Sequence, residues 1–103
     1  MKHFSADKNL NEAVVTFFSP EITRRDNVQM GSAVMEPHTE SGWGVHDGDE
    51  YSYFIKGNIT VEYRDCKVEV KAGDAIFTPA GAEHRSINDA DEPCEVIWIE
   101  VAK

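Results

Sequence analysis

The chain has 103 residues, 41% of them hydrophobic, with nineteen acidic against ten basic side chains and a formal charge of −9. That length suits one domain and that apolar share suffices for a core, which argues against a disordered chain. The acidic balance repels phosphate backbones and anionic lipid surfaces, so nucleic acid and membrane are set aside as partners.

Residues 1–27 read as an N-terminal segment that packs on the body of the protein or in a dimer. Met1 to Asn11 carries no long apolar run, so it is not a secretory leader. Only Asp7–Glu12 hints at a helical turn. Ala13–Phe18 and Val28–Met35 are short apolar runs, parted by Ser19-Pro20 and the charged stretch Thr23–Asn27. Then follow Tyr51–Ile55, Ile59–Tyr63, Lys67–Lys71, Ala75–Thr78, His84–Ile87 and Glu95–Val101, each rich in Val, Ile, Thr or aromatic residues and bounded by Gly, Pro, Asn or Asp. Lys56-Gly57-Asn58 and Ala72-Gly73-Asp74 read as tight turns between them. About eight short strands with frequent turns predict an all-β sandwich or small barrel, with its core over about 28–101 and the whole of 1–103 as one domain. No run approaches the roughly 20 apolar residues of a membrane span. The two cysteines, Cys66 and Cys94, are too few for a disulfide framework and sit in strand-like runs where buried reduced thiols are expected. A cytoplasmic protein is the expectation.

Alternation assigns the faces. Ile59, Val61 and Tyr63 share one side of their strand, while Thr60, Glu62 and Arg64 share the other. Tyr51–Ile55 is apolar on both sides except at Ser52, so it needs cover on both. Tyr51, Tyr53 and Ile55 would take theirs from a second subunit or from the N-terminal segment, and a homodimer is expected.

Of the four histidines, His46 precedes Glu50 by four residues, across the turn-like Asp47-Gly48-Asp49. Glu50 opens a strand and points the same way as Ser52 and Phe54. A carboxylate on an apolar interior face is expensive unless it is paired, protonated or bound to a cation. His84 opens a later strand, behind the rigid corner Pro79-Ala80-Gly81, with Ser86 and Asn88 on its face. Two imidazoles and one carboxylate converging inside a barrel suit a divalent first-row metal with open positions, and iron, manganese, nickel and zinc all remain compatible. The competing reading is a buried hydrogen-bonded network; the metal is favoured over it. Gly44, Ser52, Phe54, Phe77, Ser86 and Asn88 are the candidate pocket lining. Trp43 could gate the mouth, although packing is its expected role, and His38, after Pro37, is expected to be exposed.

Gly73 to Asn88 fits the second cupin motif, G-x5-P-x-G-x2-H-x3-N, at every fixed position. His46, Glu50 and Gly57 match the second histidine, the glutamate and the closing glycine of the first motif, G-x5-H-x-H-x3,4-E-x6-G. Gly44 stands where that motif has its first histidine, and His38 where it opens on glycine. From about Met35 to Val101 the chain thus resembles the cupins, which implies a double-stranded β-helix jelly-roll barrel. The resemblance also implies that His46, Glu50 and His84 occupy three of four metal-ligand positions, the fourth being Gly44, which has no side chain to offer. His46 to Tyr51 is similar to the cupin domains attached to some helix-turn-helix regulators.

Two functions follow as expectations. One is a metal-dependent enzyme of oxygenase, isomerase or lyase type acting on a small polar organic molecule, with Ser86, Asn88 or Tyr53 orienting the substrate. The other is a non-enzymatic module that binds or senses a small molecule and acts through a partner. A structural dimer with a relic pocket ranks last.

Overall fold

The structure, a computed structural model, describes residues 1–3 and 14–102, so the turn expected at Asp7–Glu12 lies outside the described residues. Among the described residues nine strands form in chain order: β1 (Val14–Phe18), β2 (Val28–Met35), β3 (Thr39–Glu40), β4 (Asp49–Lys56), β5 (Asn58–Tyr63), β6 (Lys67–Lys71), β7 (Ala75–Thr78), β8 (His84–Asn88) and β9 (Cys94–Val101). The pairing is nested. β5 pairs with β6, β4 with β7, β3 with β8 and β2 with β9, all antiparallel, as one long hairpin would if it were wound round an axis. Cross-pairings of β4 with β9 and of β5 with β8 then close two sheets, ordered β1-β2-β9-β4-β7 and β3-β8-β5-β6. This is a jelly-roll barrel.

The turns obey backbone sterics. Gly57 and Gly73, at the β4–β5 and β6–β7 corners, have φ of 86° and 94°, a region that side chains with a Cβ avoid. Inward residues of the two sheets meet in a cluster of Phe54, Ile59, Val61, Val70 and Cys94, with Met35, Tyr63, Ile76 and Val96 packed against it. Gly31 on β2 makes room for the Trp98 indole on β9: a Cβ there would lie 2.5 Å from the ring and 2.0 Å from the Val15 carbonyl oxygen.

Several details differ from the sequence reading. Pro20–Thr23 forms a one-turn helix, α1, where a loop was expected; proline suits a first helical turn, and Arg24 ends it in the left-handed region at φ 63°. Cys66 is exposed in the β5–β6 turn, whereas Cys94 is buried and its thiol pKa is pushed up by desolvation and by Glu95. The described part of the N-terminal segment extends the five-stranded sheet through β1 at the edge opposite β7. No helix among the described residues is long and apolar enough to cross a membrane.

Candidate metal centre

Three side chains converge where the two sheets approach each other. Glu50 comes from β4, His84 from the start of β8, and His46 from the loop that enters β4. One potential ligand atom from each lies within 4.8 Å of the other two. His46 Nε2 is 2.8 Å from Glu50 Oε2, and the His46 and His84 ring centroids are 5.1 Å apart.

The backbone explains why they meet. Gly44 and His84 exchange two hydrogen bonds of 2.9 Å, pinning the loop before His46 to β8. The Gly81 N–H donates to the His46 carbonyl at 3.0 Å, and the Ala80 N–H donates to Asp49 Oδ1 at 2.9 Å. The Pro79-Ala80-Gly81 corner is therefore stitched to both ends of the segment that presents His46 and Glu50. Asp49 is a positioning residue that sequence reasoning missed, having read it only as part of the turn before Glu50.

A second layer of contacts orients the donors. His84 Nδ1 is 2.8 Å from the Ala82 carbonyl oxygen, which can only accept, so Nδ1 carries the proton and the Nε2 lone pair is free. Ser52 donates to Glu50 Oε1 at 3.2 Å. The Tyr63 hydroxyl lies 2.8 Å from Thr78 Oγ1, with its ring centroid 5.9 Å from that of His84. The group fits a divalent cation on three counts: two imidazole nitrogens and one carboxylate oxygen are close together, the His84 Nδ1–H is turned to the Ala82 carbonyl so that Nε2 faces the cluster, and the carboxylate is held by a hydroxyl. The direct His46–Glu50 contact is equally the one that the competing hydrogen-bonded network would make.

The donors line a cavity of about 280 Å³. Its walls include Phe54, Val61, Ile76, Val96 and Trp98, with Ser52, Thr78 and Ser86 among the few hydroxyls. Ser52, Phe54 and Ser86 thus line it as the alternation predicts. Three expected pocket residues do not. Phe77 is 50% exposed and packs on Tyr51 outside the barrel, ring centroids 5.0 Å apart; in β7 it is the neighbours Ile76 and Thr78 that face inward. Asn88 is wholly buried, but it is spent on structure: its amide donates to the Met35 and Glu92 carbonyls, and its Oδ1 accepts from Ala90 N–H. Gly44 borders the donors through backbone alone, and a Cβ built on it meets nothing within 4 Å. Tyr53, a candidate to orient substrate, is half-exposed on the outer face.

The remaining candidates lie elsewhere. Trp43 is stacked under guanidinium groups, 3.8 Å from Arg64 Cζ and 5.2 Å from that of Arg85. Glu83 makes a two-pronged pair with Arg64, at 2.8 and 3.0 Å, which holds its carboxyl below the ordinary range. His38 bonds Asp91 at 2.7 Å at the surface and does not turn inward to replace the missing ligand.

Comparison with known proteins agrees with this fold. The cupin domain profile matches residues 31–100. No curated protein matches the chain. Among solved structures, a cupin-2 domain protein from Shewanella frigidimarina is 27% identical, covering 78% of this chain and 76% of its own, with a TM-score of 0.64. A Cupin 2 conserved barrel domain protein from Salinispora arenicola is 19% identical over 98% of this chain and 88% of its own, at a TM-score of 0.81. A predicted oxalate decarboxylase from Thermotoga maritima is 22% identical over 87% and 79%, at 0.77. The last two likenesses speak to fold alone.

Proposed function

The chain belongs to the cupin domain family, and from that premise we propose that it binds a divalent transition metal through His46, Glu50 and His84, beside a pocket for a small organic molecule. The observation that carries this is the three-donor cluster, with His84 already presenting a free Nε2. Iron, manganese, nickel and zinc all accept such a donor set. The enzyme reading is an oxygenase, isomerase or lyase type. A bound ion would supply Lewis acidity and open coordination positions. The chain's own part is to hold that position in a mainly apolar cavity, to fix the His84 tautomer through Ala82, and to keep Glu50 aimed through Ser52.

The second reading is a non-enzymatic binding or sensing module, and one observation favours it. Apart from the three proposed ligands, no carboxylate, imidazole or amine among the described residues lines the cavity, so none of them offers a separate acid or base for proton transfer. Glu83, the nearest alternative in sequence, is taken by Arg64.

A homodimer is part of the proposal, together with a cytoplasmic setting. Tyr51, Tyr53, Ile55 and Phe77 form an apolar patch on the outer face of β4 and β7, each 48–50% exposed. On a chain of charge −9, this uncharged patch is where two copies meet with least repulsion.

The metal assignment is tested by elemental analysis of protein purified without chelators. His84→Ala should lose the metal while its urea midpoint in EDTA stays near that of the metal-free wild type. Metal retained at stoichiometric level by this variant would sink the assignment.

A further inference from the structure

We propose that the pocket selects a singly charged ligand, with one oxygen-chelating head placed at the donor cluster beside Gly44 and a compact apolar body directed into the barrel. This rests on the metal reading and goes beyond it by naming the ligand class.

Charge is the first argument. Among the described residues no lysine or arginine lines the cavity, and Glu50 is the one carboxylate that does. The two nearby guanidinium groups are committed outside: Arg64 to Glu83 and Trp43, Arg85 to Glu62 and Glu40. A divalent ion held by one carboxylate and two neutral imidazoles keeps a single positive charge. One anionic head balances it. A second charge further along the ligand would enter walls made by Phe54, Val61, Val96 and Trp98 with no partner, where desolvation is costly.

Space is the second argument. The position opposite His84 in the short bridge is Gly44, and residues so paired project to the same side of a sheet. A Cβ there meets no atom within 4 Å, and the Gly44 φ does not lie in the left-handed region that would require glycine. Neither sterics nor backbone conformation explains the glycine. Gly44 is exposed beside the donors, which leaves that side open for a two-pronged head, and a cavity of about 280 Å³ suits a body of one ring or a short chain.

The test holds the head constant and varies the body. Protein loaded with Co2+ is titrated with benzohydroxamate, acetohydroxamate and succinic monohydroxamate, followed by calorimetry and by the visible bands of the cobalt. Benzohydroxamate should bind about tenfold more tightly than acetohydroxamate, because its ring is buried. Succinic monohydroxamate, with the same head and a second carboxylate, should bind at least about tenfold more weakly than acetohydroxamate. Gly44→His should retain Co2+ yet weaken all three by about tenfold or more, since an imidazole then takes a position the head needs. Equal affinities for the three bodies, or preference for the charged one, overturn the ligand class while leaving the metal reading intact. Unchanged binding in Gly44→His overturns the placement of the head. Failure of the wild type to take up Co2+ overturns the metal reading, and this proposal with it.

Discussion

The two sheets turn similar apolar faces toward each other, but their outer faces have opposite character. Outside the four-stranded sheet, Lys67, Glu69 and Lys71 face water and Glu62 is half-buried against Arg85. Arg85 Nε donates to Glu62 at 2.6 Å, and Trp43 lies beneath two guanidinium groups. Outside the five-stranded sheet, Tyr51, Tyr53, Ile55 and Phe77 are about half-exposed, with no charge among them. Inward faces determine that a barrel closes; outward faces determine what each sheet meets afterwards. One sheet presents charge to solvent, and the other presents a half-exposed apolar patch, the surface on which the proposed dimer rests.

The largest effect separates inside from outside on neighbouring strands. Phe54, 3% exposed on β4, is at the centre of the core cluster, so Phe54→Ala should cost about 3–5 kcal/mol in urea unfolding. Phe77→Ala, on the outer face of the adjacent β7, should cost less than about 1 kcal/mol at protein concentrations low enough to keep the chain monomeric. Equal losses would mean that the outer patch belongs to the monomer's own core, and the contrast between the sheets would fail.

The next effect concerns association. Tyr53→Asp places a charge in the middle of the patch and should weaken self-association by about 100-fold in sedimentation equilibrium, since hot-spot aromatics dominate such contacts. Glu69→Lys, on the charged sheet, should leave it unchanged. A monomeric wild type, or equal sensitivity at both positions, would remove the dimer.

A smaller effect sits on the charged sheet. The Arg85 and Glu62 side chains are 27% and 21% exposed, so their ion pair is partly shielded from water. Arg85→Ala should cost about 1 kcal/mol, and a double-mutant cycle with Glu62→Gln should assign most of that to the pair. A coupling near zero would make this face as weakly tied as an open surface.

How much of this was legible in sequence depended on whether a residue's role was set locally. The charged and apolar positions of β5 alternate cleanly, so Ile59, Val61 and Tyr63 could be placed inside without coordinates. His84 was fixed by its motif, and Glu50 by its period with Ser52 and Phe54. In Ala75-Ile76-Phe77-Thr78 three consecutive apolar residues carry no polar mark to set the phase. The inward side is decided by tertiary pairing of Thr78 with Glu50 and by the Tyr63 hydroxyl, so Phe77 was placed on the wrong side. Asn88 has the right period for the pocket, but hydrogen bonds to Met35, 53 residues away, hold it as a structural anchor. The stacking of Trp43 on Arg64 and Arg85 likewise joins segments with no local signal between them. The helix at Pro20–Thr23 did carry a signal: proline at its first turn after Ser19.

The weakest expected effect is the Arg64–Glu83 pair, and it distinguishes a charged lattice from mere decoration. The two-pronged hydrogen bonds from Arg64 lower the Glu83 pKa, partly offset by desolvation. A carboxyl whose pKa is lower in the folded state stabilises the fold at pH above its unfolded value, and that contribution is lost as pH falls through the lowered one. The pair should therefore act fully at neutral pH and fade only in acid, below the ordinary carboxylate range. An NMR titration of the Glu83 side chain should place its midpoint below that of an unpaired glutamate. The Arg64→Ala variant should return it to the ordinary range, with a change in neutral-pH unfolding midpoint smaller than that of Arg85→Ala, because this pair stands in open solvent. A Glu83 midpoint that Arg64→Ala leaves in place would mean the guanidinium only covers Trp43, and this part of the charged face would owe its order to stacking instead of charge.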